Sequence, residues 1–204
     1  MVRPHLSLNF ALSADGRITS IAGISSGWTS EADQERFHRL RVEADALLVG
    51  RGTLEADRMT LTAPQNPLRC VISRTGKFDP SHPLFHTPGG PIHLLGTEHA
   101  PRKIKDTVGH HSTLAQFLER LHQDFGVERL HCEGGASLVR ELAEIDAIDE
   151  IHLTWAGHTL FGGRDAPGLT GPPGDFLASS RHYQLTHFES LTESGECFLS
   201  YRRA

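Results

Sequence analysis

The chain has 204 residues, a formal net charge of −5, 38% hydrophobic residues and 22% charged residues. That length and balance suit one globular domain spanning residues 1–204 and argue against disorder. The negative charge argues against a nucleic-acid partner, no apolar run approaches the roughly 18 residues needed to span a bilayer, and three scattered cysteines without a CxxC point to inert buried thiols in a reducing, cytoplasmic setting.

Strand-like and helical segments alternate along the chain, which predicts an α/β fold. "HLSLNFALSAD" (5–15) places Leu6, Leu8, Phe10 and Leu12 on one face with period two, so the N-terminus reads as a strand and not a signal peptide. The following "SADGRI" opens a loop from Gly16 to Gly27 that either turns or closes over a ligand. Trp28 ends that loop, placed for stacking or for packing under its own segment. "TSEADQERFHRLRVEA" has a Thr29 or Ser30 cap, acidic residues first and basic residues last, and a stripe of Phe37, Leu40 and Ala44: a helix.

"DALLVG" is a short interior strand, and "GRGTLEAD" a short helix after it. Thr53 and Asp57 are four apart on that helix, a pair that orients a ligand or simply caps and faces solvent. "RCVIS" is a buried strand that breaks into Ser73, Arg74, Thr75, Gly76 and Lys77, either a solvated turn or a seat for a phosphate. "PIHLLG" is another strand, and "STLAQFLERLHQDFG" a capped helix stopped by Gly126. "VERLHCEGG" predicts a strand running into Gly134-Gly135, and "ASLVRELAEI" a helix starting at once. Glycines and an open helix N-terminus suit a pyrophosphate, or make a tight strand-to-helix turn. "DEIHLTWAG" is a strand, and "RHYQLTHFESL" and "ECFLSYRR" form an antiparallel hairpin through "TESG".

Fourteen histidines invite a metal site. His82 and His86 are separated by Pro83, and the "HCE" at 131–133 lacks the P-C-x-x-C of zinc deaminases, so no metal is expected.

The ordered set "RPHLSLNFALSADGRI", "GWTS", "HRLRVEADALLVGRGTLEAD", "NPLRCVIS" and "LHCEGGASLVREL…DEIHLTWAGHTLFGG" resembles the reductase domain of riboflavin biosynthesis in its stand-alone form. The resemblance implies a three-layer, dihydrofolate-reductase-like fold. Its central sheet is mostly parallel with helices on both faces and an antiparallel C-terminal hairpin, and the protein is a homodimer. It implies an NADP-dependent oxidoreductase that reduces the ribosyl group of a pyrimidine ribosylamine 5′-phosphate to a ribityl chain with NADPH. The cofactor positions fall on Ala11, Trp28, Thr53, Asp57, Ser73 and Gly134, Gly135, Ala136, Ser137 and Leu138. Arg74 and Lys77 are placed for the 2′-phosphate. The substrate positions fall on Ser26, Arg41, Leu61, Arg69 and Glu133. Asp57 and Glu133 are the catalytic candidates, Asp57 for orienting or protonating the sugar. The chain departs from the family after Asp57, with Arg58-Met59 in place of Asp-Pro. A pterin or other small-heterocycle reductase, or a nucleotide-binding regulator without turnover, are the competing readings on the same fold.

Overall fold

The computed structural model describes residues 2–22 and 27–204. The described residues form nine strands and four α-helices: β1 (His5–Ser13), α1 (Glu31–Glu43), β2 (Ala46–Gly50), α2 (Arg51–Ala56), β3 (Leu68–Ser73), β4 (Ile92–Gly96), β5 (Thr107–His111), α3 (Leu114–Phe125), β6 (Arg129–Cys132), α4 (Ala136–Glu144), β7 (Glu150–Ala156), β8 (Tyr183–Leu191) and β9 (Glu196–Arg203). The nine-stranded sheet is mostly parallel and ends in an antiparallel hairpin, as the alternating pattern predicts. The chain divides into two compact units, one built from residues up to His5 with His38–Gly135, the other from Leu6–Phe37 with Ala136–Ala204.

The first unit orders its strands β5-β4-β3-β2-β6, all parallel. Its interior strands are near-continuous apolar runs because both faces are covered. Leu47, Val49, Leu54, Val71, Leu84 and Leu94 form the centre of its core. Helix α3 shows how the local code works. Thr113 and Gln116 make a reciprocal capping box, Leu114, Phe117, Leu118 and Leu121 are its buried face, and Gly126 ends it at φ 66°. Strand β5 is absent from the sequence reading. It is a mostly exposed strand at the end of this order, and "TVGHH" has neither an apolar run nor alternation to betray it.

The second unit orders its strands β1-β7-β9-β8. β1 and β7 are parallel, pairing Ala11 with Thr154, while β7–β9 and β9–β8 are antiparallel. Helix α1 starts from Ser30, whose hydroxyl accepts the Asp33 amide. The buried positions of this helix include the charged Asp33 and Arg36. Arg36 donates to the carbonyls of Leu153 and Leu199 and to the Ser200 hydroxyl, and lies over the Phe198 ring. Its neighbours Phe37 and Leu40, the expected stripe, are half-buried. The end of β1 is fixed to the segment after β7 through Asp15, which accepts from Ser13 Oγ and from the Phe161 and Gly162 amides.

Cys70 and Cys132 are fully buried, and burial pushes both thiols up, Cys132 to about 12. Cys197 is half-buried instead, because it lies on the less covered face of β9.

Candidate functional site

In the first unit, the carboxyl ends of β2 and β6 are joined beyond the strands themselves. Glu133 N donates to Leu48 O and Gly50 N to Gly134 O, each at 2.9 Å. This places Gly50, the residue capping α2, beside the glycine pair. Gly134 has φ 99°, open to glycine, and the Gly134–Gly135 peptide is cis. A Cβ on Gly135 would collide with Thr53 Oγ1, so only glycine lets the Thr53 hydroxyl reach this backbone. Helix α4 follows directly, with Ala136, Ser137 and Leu138 in its first turn. The first N–H groups of any helix lack intrahelical partners and carry the positive end of its dipole.

Immediately before the glycines, Glu133 forms a buried bidentate pair with Arg41. Arg41 Nε lies 2.5 Å from Oε1 and Nη2 lies 2.7 Å from Oε2. Burial lifts the Glu133 carboxyl pKa while the guanidinium pulls against it. Arg41 Nη1 also reaches Thr62 O.

Asp57 caps the end of α2 with its N–H on Thr53 O, and is exposed. Thr53 and Asp57 therefore belong to one short helix, next to the glycine pair through Thr53. Leu61 has φ 53° and its side chain is fully buried in the core, so what it offers a ligand is backbone. At the end of β3, the buried Ser73 hydroxyl lies 3.3 Å from Thr75 Oγ1. The turn is held by Thr97 N on Ser73 O and Glu98 N on Arg74 O. Gly76 has φ 64°, and a Cβ there would run into the His99 and Ala100 carbonyls. Arg74 and Lys77 project outward, and Arg74 lies 3.5 Å from Glu98.

Arg69 is not brought together with these residues. It pairs with Leu47 toward the other end of β3. Its guanidinium donates to the carbonyls of Gly90, Leu84 and Thr87, and burial lowers its pKa. Ser26 lies outside the described residues.

In the second unit, Ala11 and Trp28 line one pocket of about 240 Å³ together with Asn9, Asp33, Gln34 and Phe37. Trp28 is half-buried, edge-on to Phe161 at 4.9 Å between centroids. Asp33 and Asn9 were not singled out by the sequence reading. In sequence, Asp33 looks like an ordinary first-turn acid, and Asn9 like a polar position of an alternating strand. The Asp33 signal was its place in the one helix whose apolar stripe is thin.

The sequence model of the RibD C-terminal domain matches residues 4–194. A 2,5-diamino-6-ribosylamino-4(3H)-pyrimidinone 5′-phosphate reductase from Methanothermobacter thermautotrophicus is 33% identical over 210 residues, covering 94% of this chain and 95% of its own. The protein of the same name from Aquifex aeolicus is 30% identical and covers 92% of each chain. Among solved structures, the diaminohydroxyphosphoribosylaminopyrimidine deaminase/5-amino-6-(5-phosphoribosylamino)uracil reductase of Thermotoga maritima superposes with a TM-score of 0.78 at 20% identity. That match covers 99% of this chain and 57% of the Thermotoga one, and it speaks for the fold alone.

Proposed function

Since the chain belongs to the RibD C-terminal domain family, we propose that it is an NADPH-dependent reductase converting the ribosyl group of a pyrimidine ribosylamine 5′-phosphate to a ribityl chain. The observation that carries this reading is the joined end of β2 and β6. There a side-chain-free Gly134–Gly135 backbone, the Thr53 hydroxyl and the Arg41–Glu133 pair occupy neighbouring positions. The names of the two full-length relatives support the substrate class.

The residues present fit a dinucleotide. The glycine pair presents backbone without side chains, and the amides of Ala136, Ser137 and Leu138 at the start of α4 suit a pyrophosphate. Ser73, Arg74 and Lys77 serve the 2′-phosphate, and Ala11, Trp28, Thr53 and Asp57 supply further cofactor contacts. When bound, NADPH supplies a hydride. The chain's own residues position and polarise the substrate. Opening of the sugar ring moves a proton from the glycosidic nitrogen to O4′ and leaves a C1′=N double bond. Reduction then adds hydrogen at C1′ and a proton at nitrogen. Asp57 is assigned to orienting the sugar and moving that proton, and Glu133 with Arg41 to holding substrate. Backbone at Leu61 completes the substrate side. We assign Arg69 to holding the 84–90 segment rather than substrate, because its donors meet carbonyls there. The homodimer implied by the family is read directly by sedimentation velocity, where a monomer mass at all concentrations would dismiss it.

The test is NADPH oxidation with three mixtures: the ribosylaminopyrimidine phosphate, dihydrofolate, and no acceptor. Oxidation with the first alone is expected, and Asp57→Asn should lower kcat about 10²–10⁴-fold with cofactor affinity kept. Turnover of dihydrofolate only, or of neither acceptor by folded protein, overturns the reading.

A further inference from the structure

The pocket of the second unit contains polar chemistry that the assignments above leave unused. Asp33 is 9% exposed, and its Oδ1 accepts the hydroxyl of the fully buried Thr154 at 2.5 Å. That bond, made to a strand residue of the core, fixes the carboxylate and uses one of its oxygens. Asn9 stands two residues before Ala11 on the same face of β1. Its Oδ1 is buried without a hydrogen-bond partner. Turning the amide over would only exchange which of its two polar ends lies there. Buried polar atoms are ordinarily satisfied, so an orphan in a pocket wall points to a partner that arrives with a ligand. Trp28 and Phe37 add flat apolar walls.

We propose that this pocket reads the ring edge of the pyrimidine, with Asp33 as the residue that selects a 2-amino-4-oxo ring over a 2,4-dioxo ring; this rests on the reductase reading above. A carboxylate only accepts hydrogen bonds. A 2-amino-4(3H)-pyrimidinone presents N3–H and its 2-amino group side by side, two donors that match two carboxylate oxygens. A uracil presents N3–H beside a C2 carbonyl, which sets acceptor against acceptor. Specificity of this kind comes as much from the repelled ring as from the accepted one. Asn9, with one donor and one acceptor, complements the remaining amide of the ring. The two reductase names reported above differ in this edge: the relatives of similar length carry a diaminopyrimidinone in their names, and the Thermotoga protein a uracil. Thr154 is a positioning residue that aims the carboxylate.

The experiment measures calorimetric binding and turnover of two compounds on the full chain. They are 2,5-diamino-6-ribosylamino-4(3H)-pyrimidinone 5′-phosphate and 5-amino-6-(5-phosphoribosylamino)uracil, bound in the presence of NADP⁺ and turned over with NADPH. The wild type should favour the diamino compound about 10- to 100-fold, the range of a charged hydrogen bond. Asp33→Asn, nearly isosteric, should bring the ratio close to one or invert it, and Thr154→Val should narrow it while circular dichroism stays native. A reduced ratio in either variant that folds supports the proposal. Turnover with a ratio unmoved in both variants, or weakened cofactor binding alone, overturns it and leaves the reductase reading standing. Binding of the diamino compound that depends on Asp33, without turnover, supports it and removes the reductase reading. No binding of either compound overturns both.

Discussion

Arg41 and Glu133 face each other as a two-point ion pair inside the first unit, with the Glu133 side chain wholly out of contact with solvent. Breaking a buried pair from one side strands the other charge, which typically costs about 3–5 kcal/mol. We predict that Arg41→Met destabilises the protein by about that amount, read from urea unfolding. Arg41→Lys should retain the charge but lose the fork, and raise the substrate KM more than the cofactor KM. An Arg41→Met protein as stable as the wild type would show that the pair does not hold this end of β6.

Gly135 and Thr53 compete for one volume. Gly135→Ala should therefore both disturb the fold and weaken NADPH binding, since the new Cβ meets Thr53 Oγ1. Adding Thr53→Ala removes the colliding oxygen. The double variant should regain the wild-type melting temperature while NADPH affinity stays low. That separation follows only if the glycine backbone itself meets the cofactor. Full recovery of affinity in the double variant would reduce Gly135 to a packing role.

The turn after β3 presents Arg74 and Lys77 to solvent, and Glu98 sits beside Arg74. Changing both basic residues to Ala should weaken NADPH about three- to tenfold, less than a buried charged bond would give, because the contacts are screened. NADH binding should change little. Glu98→Gln frees Arg74 from its acid neighbour and should tighten NADPH. Equal effects on the two dinucleotides would remove this turn from 2′-phosphate recognition.

His93 Nδ1 and His110 Nε2 lie 3.1 Å apart, both rings buried and flanked by Phe125 and Phe117. Burial first, then the neighbouring His110, lowers His93 from 6.5 to about 4. His110 is lowered by burial and by Arg120, with Asp124 opposing. The unfolded chain therefore binds protons that the fold refuses. Stability should be complete above pH 6.5 and fall as the pH drops from there toward 4. His93→Leu should flatten that slope in urea midpoints. An unchanged slope would place the acid sensitivity elsewhere.

Much of the fold is legible in the sequence because its signals are local. The α3 cap and stop, the glycine pair before α4 and the turn of the terminal hairpin are each set by a few adjacent residues. Strand β5 was not legible, since an exposed strand of polar residues and glycine is stabilised by its neighbour β4 and not by its own pattern. The site divides in the same way. Thr53, Glu133 and Gly135 follow strand ends and are found by reading motifs. Asp33 with Thr154 and Arg36 with β7 and β9 are contacts across more than a hundred residues, and no spacing rule reports them. Arg69 shows the converse: its sequence neighbourhood suggests a ligand contact, while the fold meets its donors with carbonyls of the 84–90 segment.

The most direct test of the central claim follows the hydrogen itself. The protein is incubated with the ribosylaminopyrimidine phosphate and NADPH carrying deuterium at both C4 positions of the nicotinamide, and the product is examined by mass spectrometry and NMR. The account requires a ribityl product with one deuterium, located at C1′, formed in proportion to NADPH consumed. NADPH consumption without deuterium at C1′, or recovery of unreduced substrate from folded protein, would contradict it.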